Sequence, residues 1–401
     1  MILYKMHSAV HKNGLRWIAV LLLVINLAGC MPYQAYLYIV PDEKDIHRFK
    51  KKNVLVKNAL QCSNQAFNFP QRTNNKPIYV SNWDPNEPLE KAALEEFLED
   101  RKAKHFLVIK NDSIVFEYNN KEIKENEPTP GFSIAKALVS ATVGVALKEG
   151  YIGSVNDHVK DYIPELNYHP YFDQLTINHL LNQTSGLRME VDNIAYAYYG
   201  KMEHMLKMMH FDARPGEHLE YININTILVG IILERTTGRK LHEYFSEKIW
   251  SKIGTCDSTV WAYDYQTNHT RSFSCFGASA RDYAKFGKLY LNKGKWGNEQ
   301  VIDSNWVIAS TSPVNALGEN VGYNNNWFVG EKEVGDYLAM GMYRQQIYVN
   351  PKENVVIVSL MKFNKKNLPL RWWQVLRQVA EQAGKEVPDK VSETKVYGFK
   401  E

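Results

Sequence analysis

Two hairpin-like stretches at opposite ends of the chain limit the folds open to it. Residues 105–118, "HFLVIKNDSIVFEY", hold two β-rich runs around Lys110-Asn111-Asp112. Residues 345–360, "QQIYVNPKENVVIVSL", repeat the pattern around Asn350-Pro351-Lys352-Glu353-Asn354. Between them, from about 157 to 310, the sequence is mostly helical with frequent turns. Strands at both ends and helices between predict an α+β fold. An antiparallel β-sheet made by the two ends is flanked by helices, and an all-α region is inserted. At 401 residues the chain can bury a large core, and 24 tyrosines and 9 tryptophans make aromatic-lined clefts available to it.

The first residues have a different character. Residues 1–29 carry Lys5, Lys12 and Arg16 and no acid, and the apolar run from Trp17 to Leu27 is too short for a spanning helix. It matches the apolar core of a secretory leader and ends in "LAGC", small residues directly before Cys30. That ending resembles the lipobox of bacterial lipoproteins, which implies cleavage before Cys30 and a lipid on its thiol. The competing reading is an uncleaved anchor continuing to Val40. The expected organisation is a lipoprotein leader at 1–29, a membrane-proximal arm at 30–84, a catalytic domain at 85–386 and a loose tail at 387–401. The expected location is the bacterial cell envelope, anchored by lipid and facing the periplasm or the exterior.

Without residues 1–29 the chain is nearly neutral, so nothing points to nucleic acid. Cys62, Cys256 and Cys275 remain besides Cys30. In an oxidising compartment Cys256 and Cys275 are the candidate pair, leaving Cys62 over. No cysteine or histidine cluster has zinc-ligand spacing. Residues 87–101 read as a helix. So do 131–150, ending at Gly150, and 369–384.

The helix at 131–150, "GFSIAKALVSATVGVALKEG", is apolar nearly all round, yet Lys136 sits in its first turn. Lysine is seldom fully buried without a partner. Ser-x-x-Lys occurs three times, at Ser133, Ser359 and Ser392, but only Ser133 opens a helix after a glycine turn. Three residues apart on a helix, a lysine can reach the serine hydroxyl. An apolar setting lowers an amine's pKa, and serine needs such a base to become a nucleophile. The bland alternative is an N-cap serine beside a snorkelling lysine.

Two further stretches complete a candidate site. Tyr221 and Asn223 follow a Pro-Gly turn and precede an apolar helix, with Asn223 a natural N-cap. Tyr-x-Asn occurs five times in the chain, so its position is what selects this copy. A phenol near an ammonium can ionise or relay a proton to a leaving group. In "LAMGMYRQQIYV", 338–349, Gly341 lies in a strand pattern, where glycine marks close backbone approach or a bulge. A substrate lying along that strand could use the Met342 N–H as an oxyanion donor.

Taken together and in this order, these stretches resemble the serine β-lactamase and penicillin-binding-protein superfamily. The nearest part is its class C-like branch of D-alanyl-D-alanine peptidases, esterases and 6-aminohexanoate-oligomer hydrolases. "SVNDHVKDYIPEL", "LTINHLLNQTSGL" and "GASARDYAKFGKLYLNKGKW" agree with it. The similarity runs from about residue 85 to 384. It implies an acyl-enzyme on Ser133, with Lys136 and Tyr221 as base and proton relay and Asn223 orienting substrate, and it implies no metal or cofactor. Lactamases and transpeptidases usually carry a lysine or histidine where this chain has Ala339-Met340-Gly341. Arg344 is the nearby cation that could substitute. The expected substrate is therefore a small amide or ester of low acidity. A β-lactamase or D-alanyl-D-alanine carboxypeptidase acting on cell wall, and an inactive binding module of the same fold, are the alternatives. Tyrosine-rich residues 193–200 read as a lid or as domain packing.

Overall fold

The two ends of the chain meet in a seven-stranded antiparallel sheet. Its strands are β1 (Ala103–Lys110), β2 (Ser113–Asn119), β3 (Gly322–Asn324), β4 (Trp327–Val329), β5 (Tyr337–Gly341), β6 (Gln345–Asn350) and β7 (Val355–Met361), in spatial order β3-β4-β5-β6-β7-β1-β2. The computed structural model describes residues 56–81, 91–124, 126–189, 206–264, 267–313, 322–362, 364 and 372–385. The central strands are β-branched and buried on both faces, as in a sheet covered on both sides. Two tight hairpins pin the register. Asn111 and Asp112 join β1 to β2, and Asn325 and Asn326 join β3 to β4, all four with positive φ. Asparagine and aspartate tolerate that conformation, which matches the strand twist.

Alternation along β1 divides the core. Phe106 and Val108 face one layer, with the helices Leu94–Asp100 and Trp372–Gln382. Leu107 and Ile109 face the other, with α1 (Ile134–Lys148), α2 (Asn223–Thr237) and α3 (Ala280–Leu291). A Cβ on Gly287 of α3 would lie 2.5 Å from Val356 Cγ1, so the missing side chain lets this helix press onto the sheet.

The α+β architecture follows the expectation, and the differences from it are local. Residues 56–81 are not a free arm. Val56–Ala59 pairs with Val260–Asp264 in a second sheet, and Phe69, Ile78 and Val80 are buried in the body. Their apolar residues are too sparse to show a period, yet Leu60, Phe69, Ile78 and Val80 are buried. Residues 91–93 form a strand, and helix begins only at Leu94. Asn223 is not the N-cap of α2. It is the first helical residue, after Ile222, and its side chain is used elsewhere. Cys256 is exposed, Cys275 is buried, and they are not joined. The leader, Cys30, residues 193–200 and the tail beyond 385 lie outside the described residues. Among the described residues no helix is long and apolar enough to cross a membrane.

Candidate active site

Helix α1 is buried on every side for nearly its whole length, and Lys136 is buried with it at 1% exposure. The lysine therefore does not snorkel. Its Nζ lies 3.0 Å from Ser133 Oγ, 2.9 Å from Asn223 Oδ1 and 3.1 Å from the Phe273 carbonyl oxygen. It also stands over the Tyr221 ring, 4.9 Å from the centroid. Ser133 occupies the N-cap position with helical backbone angles and makes no side-chain capping bond. Its hydroxyl faces Lys136 and Tyr221 rather than closing the helix end.

Tyr221 is exposed as a residue, 40% accessible, while its hydroxyl is enclosed. Burial pushes this phenol up to about 12, and its hydrogen bond with Ser133 pulls weakly the other way. At neutral pH Tyr221 is thus a neutral proton donor rather than a phenolate. Tyr323 meets its ring edge-on at 5.7 Å and Phe328 stacks on it at 6.1 Å, forming an aromatic wall beside Ser133.

The approach to Ser133 is tightly built. Phe132 has φ 50°, a conformation uncommon for a side-chain-bearing residue. Gly341, at the end of β5, touches the preceding residue: a Cβ there would lie 2.0 Å from the Gly131 carbonyl oxygen. The close backbone approach therefore brings β5 against the serine loop. Met342 and Arg344 follow in a short turn in which Tyr343 and Arg344 both have positive φ. Arg344 is half-buried, and burial pushes its guanidinium below the usual range.

Residues 92–380 match the family model described as Beta-lactamase. The chain belongs to the beta-lactamase family. A 6-aminohexanoate-dimer hydrolase of Paenarthrobacter ureafaciens is 24% identical over 298 residues, 67% of this chain and 74% of that protein. Protein flp of Staphylococcus aureus strain MW2 is 24% identical over 309 residues, and the match spans 66% of this chain and 60% of that protein. Among solved structures, a Bacillus anthracis protein provisionally described as a 6-aminohexanoate-dimer hydrolase superposes with a TM-score of 0.75 at 24% identity. That match covers 86% of this chain and 96% of the other, and at this identity it speaks to fold. Membership of the family makes the chain a serine hydrolase of amide or ester bonds.

Ser133, Lys136, Tyr221 and Asn223, drawn from two distant stretches, converge in one cluster. Phe273 and Phe328 join them without any motif of their own, Gln183 comes from "LTINHLLNQTSGL", and Tyr323 opens another of the Tyr-x-Asn copies. Phe273 contributes a backbone oxygen, which no side-chain pattern reveals. A cavity of about 720 Å³ lined by Glu95, Glu99, Glu117, Tyr118 and Lys362 shares no residue with this cluster.

Proposed function

We propose that this protein is a lipid-anchored hydrolase of the cell envelope that cleaves a small amide or ester through an acyl-enzyme on Ser133. The observation that carries the reading is Lys136 Nζ, buried at 1% exposure and 3.0 Å from Ser133 Oγ. As a neutral amine, Lys136 satisfies Asn223 Oδ1 and the Phe273 oxygen with its two N–H bonds and keeps its lone pair for the serine proton. As an ammonium, it returns a third N–H to Ser133 Oγ. The same acceptors serve both states, so the proton moves with little rearrangement.

Oγ then attacks the substrate carbonyl at the N-terminal end of α1, where the helix dipole favours the developing oxyanion. The Met342 N–H at the end of β5 is the candidate second donor. The leaving nitrogen or oxygen takes its proton from neutral Tyr221, which is refilled from Lys136. Water attacks the acyl-enzyme by the reverse relay, releasing the acid and restoring the serine.

The wall of Tyr221, Tyr323 and Phe328 and the absence of a cation at Ala339-Met340-Gly341 support a weakly acidic, partly apolar substrate. The Paenarthrobacter relative, named a 6-aminohexanoate-dimer hydrolase, supports a small substrate of this kind. The test is mass spectrometry after a fluorophosphonate probe, with a p-nitrophenyl ester and nitrocefin as turnover substrates. A single adduct on Ser133, lost in Ser133→Ala, with ester turned over faster than lactam, is expected. No adduct and no turnover refutes the reading. Anchoring is tested by labelled palmitate, which Cys30→Ser should fail to incorporate.

A further inference from the structure

Tyr221 sits at the end of a largely exposed, irregular stretch, residues 212–222. Something must hold such a stretch still if its hydroxyl is to stay on Ser133. The structure offers one residue. Gln183 follows the short helix Ile177–Leu181, is 1% exposed and has φ 57°. A buried glutamine in the left-handed region persists only where its surroundings hold it there.

Its hydrogen bonds straddle Tyr221. The Gln183 backbone oxygen accepts from the Glu220 N–H at 2.8 Å. Its side-chain Oε1 accepts from the Ile222 N–H at 2.9 Å and from Asn225 Nδ2 at 2.9 Å. Glu220 and Ile222 are the two neighbours of Tyr221 in the chain. Asn225 lies two residues past Asn223 and ties the same amide to the first turn of α2. The Tyr323 hydroxyl also meets Gln183, and it donates to Asn326 Oδ1 at 3.1 Å, while its ring packs edge-on against Tyr221. One residue therefore fixes the backbone on both sides of Tyr221, through its own backbone oxygen at Glu220 and its side-chain oxygen at Ile222.

Burial alone does not explain this arrangement. An apolar residue would fill the space equally well but leave the buried Ile222 N–H unsatisfied. We propose that Gln183 is the positioning residue that holds the Tyr221 hydroxyl against Ser133. The inference rests on Ser133 being the nucleophile and Tyr221 its proton relay.

The test is a double-mutant cycle on the full-length protein, with ester turnover normalised to sites titrated by the fluorophosphonate. Gln183→Met keeps length and volume but removes the acceptor. Misplacement of a reacting group by about 1 Å lowers rate on the order of 100-fold, so kcat/KM should fall by about 10- to 100-fold, mostly in kcat. In a Tyr221→Phe background the same change should lower kcat/KM no further, because there is no hydroxyl left to place. If Gln183→Met does not fold, Gln183→Asn, one methylene too short for Ile222, carries the same two readouts. Full kcat/KM per titrated site with only a lower melting temperature overturns the inference. So does a loss that multiplies in full on top of Tyr221→Phe. A wild-type protein that neither labels nor turns over overturns the serine-hydrolase reading itself, and this inference with it.

Discussion

Gly341→Ala tests whether β5 must touch the serine loop. The added Cβ would stand 2.0 Å from the Gly131 carbonyl oxygen, 3.0 Å from the Gly131 carbonyl carbon and 3.1 Å from Phe132 Cβ. Ordinary contact begins near 3.4 Å, so the strand and the loop must part by more than an ångström. The obstacle is backbone on both sides, and no side chain can swing away. Overpacking of this kind costs about 1–3 kcal/mol. A displacement of about 1 Å at the nucleophile lowers rate on the order of 100-fold. The control is Gly144→Ala, where the Cβ would meet the Trp306 ring at 2.2 Å. Gly144 lies three helical turns beyond Ser133, roughly 16 Å along α1. Both variants should melt earlier, and only Gly341→Ala should lose ester turnover per titrated site. If Gly341→Ala turns over as well as Gly144→Ala, the contact between β5 and the serine loop does not serve catalysis.

Three further outcomes follow from the geometry. Lys136→Met should lower the rate of Ser133 labelling by about 10²- to 10⁴-fold, the range of a lost general base. Its melting temperature should move only a few degrees, because unpairing Asn223 Oδ1 and the Phe273 oxygen is offset by no longer burying a polar amine. A native-state thiol reagent, mapped by peptide, should modify Cys62 and Cys256 and spare Cys275 until the protein unfolds; modification of native Cys275 contradicts this. Burial raises the phenols of Tyr283, Tyr290, Tyr323 and Tyr337 above their usual value near 10. The unfolded chain therefore loses these protons first, so stability is full below about pH 10 and falls as pH rises beyond it. Urea midpoints at about pH 8 and about pH 11 should differ in that direction, and equal midpoints would refute it.

Much of this was legible because local chemistry and burial agree. The β-rich runs of 103–119 and 345–361 are strands, largely buried in all but Ser113–Asn119, and their turns carry the residues that positive φ favours. Lys136 stood out because a charge in an apolar helix requires partners. Its spacing from Ser133 named one of them, and Asn223 was flagged separately. What the sequence hid depends on tertiary placement. Asn223 looks like a cap in isolation, but Lys136 claims its side-chain oxygen. The Phe273 carbonyl has no side-chain signature. Gln183 lies in "LTINHLLNQTSGL", a stretch that agrees with the family but names no role for it, and only the fold brings Glu220 and Ile222 to it. Residues 60–81 lack periodicity because their buried apolar side chains divide between two core layers, Leu60 and Phe69 in one and Ile78 and Val80 in the other.

The pairing of β7 with β1 sets Val355 opposite Lys110 and Ile357 opposite Val108. A ribosome delivers these partners far apart in time. Until the last strands emerge, β1 and β2 form a hairpin with an open apolar edge, an arrangement prone to wrong pairing. Long-range pairing of this kind also slows folding, since the loop must close before any contact rewards it. The serine helix lies inside that loop. Premature termination or proteolysis before residue 355 would thus leave the nucleophile and its base on a chain with no completed sheet to hold them. The order of synthesis itself would then keep a hydrolase silent until it is whole.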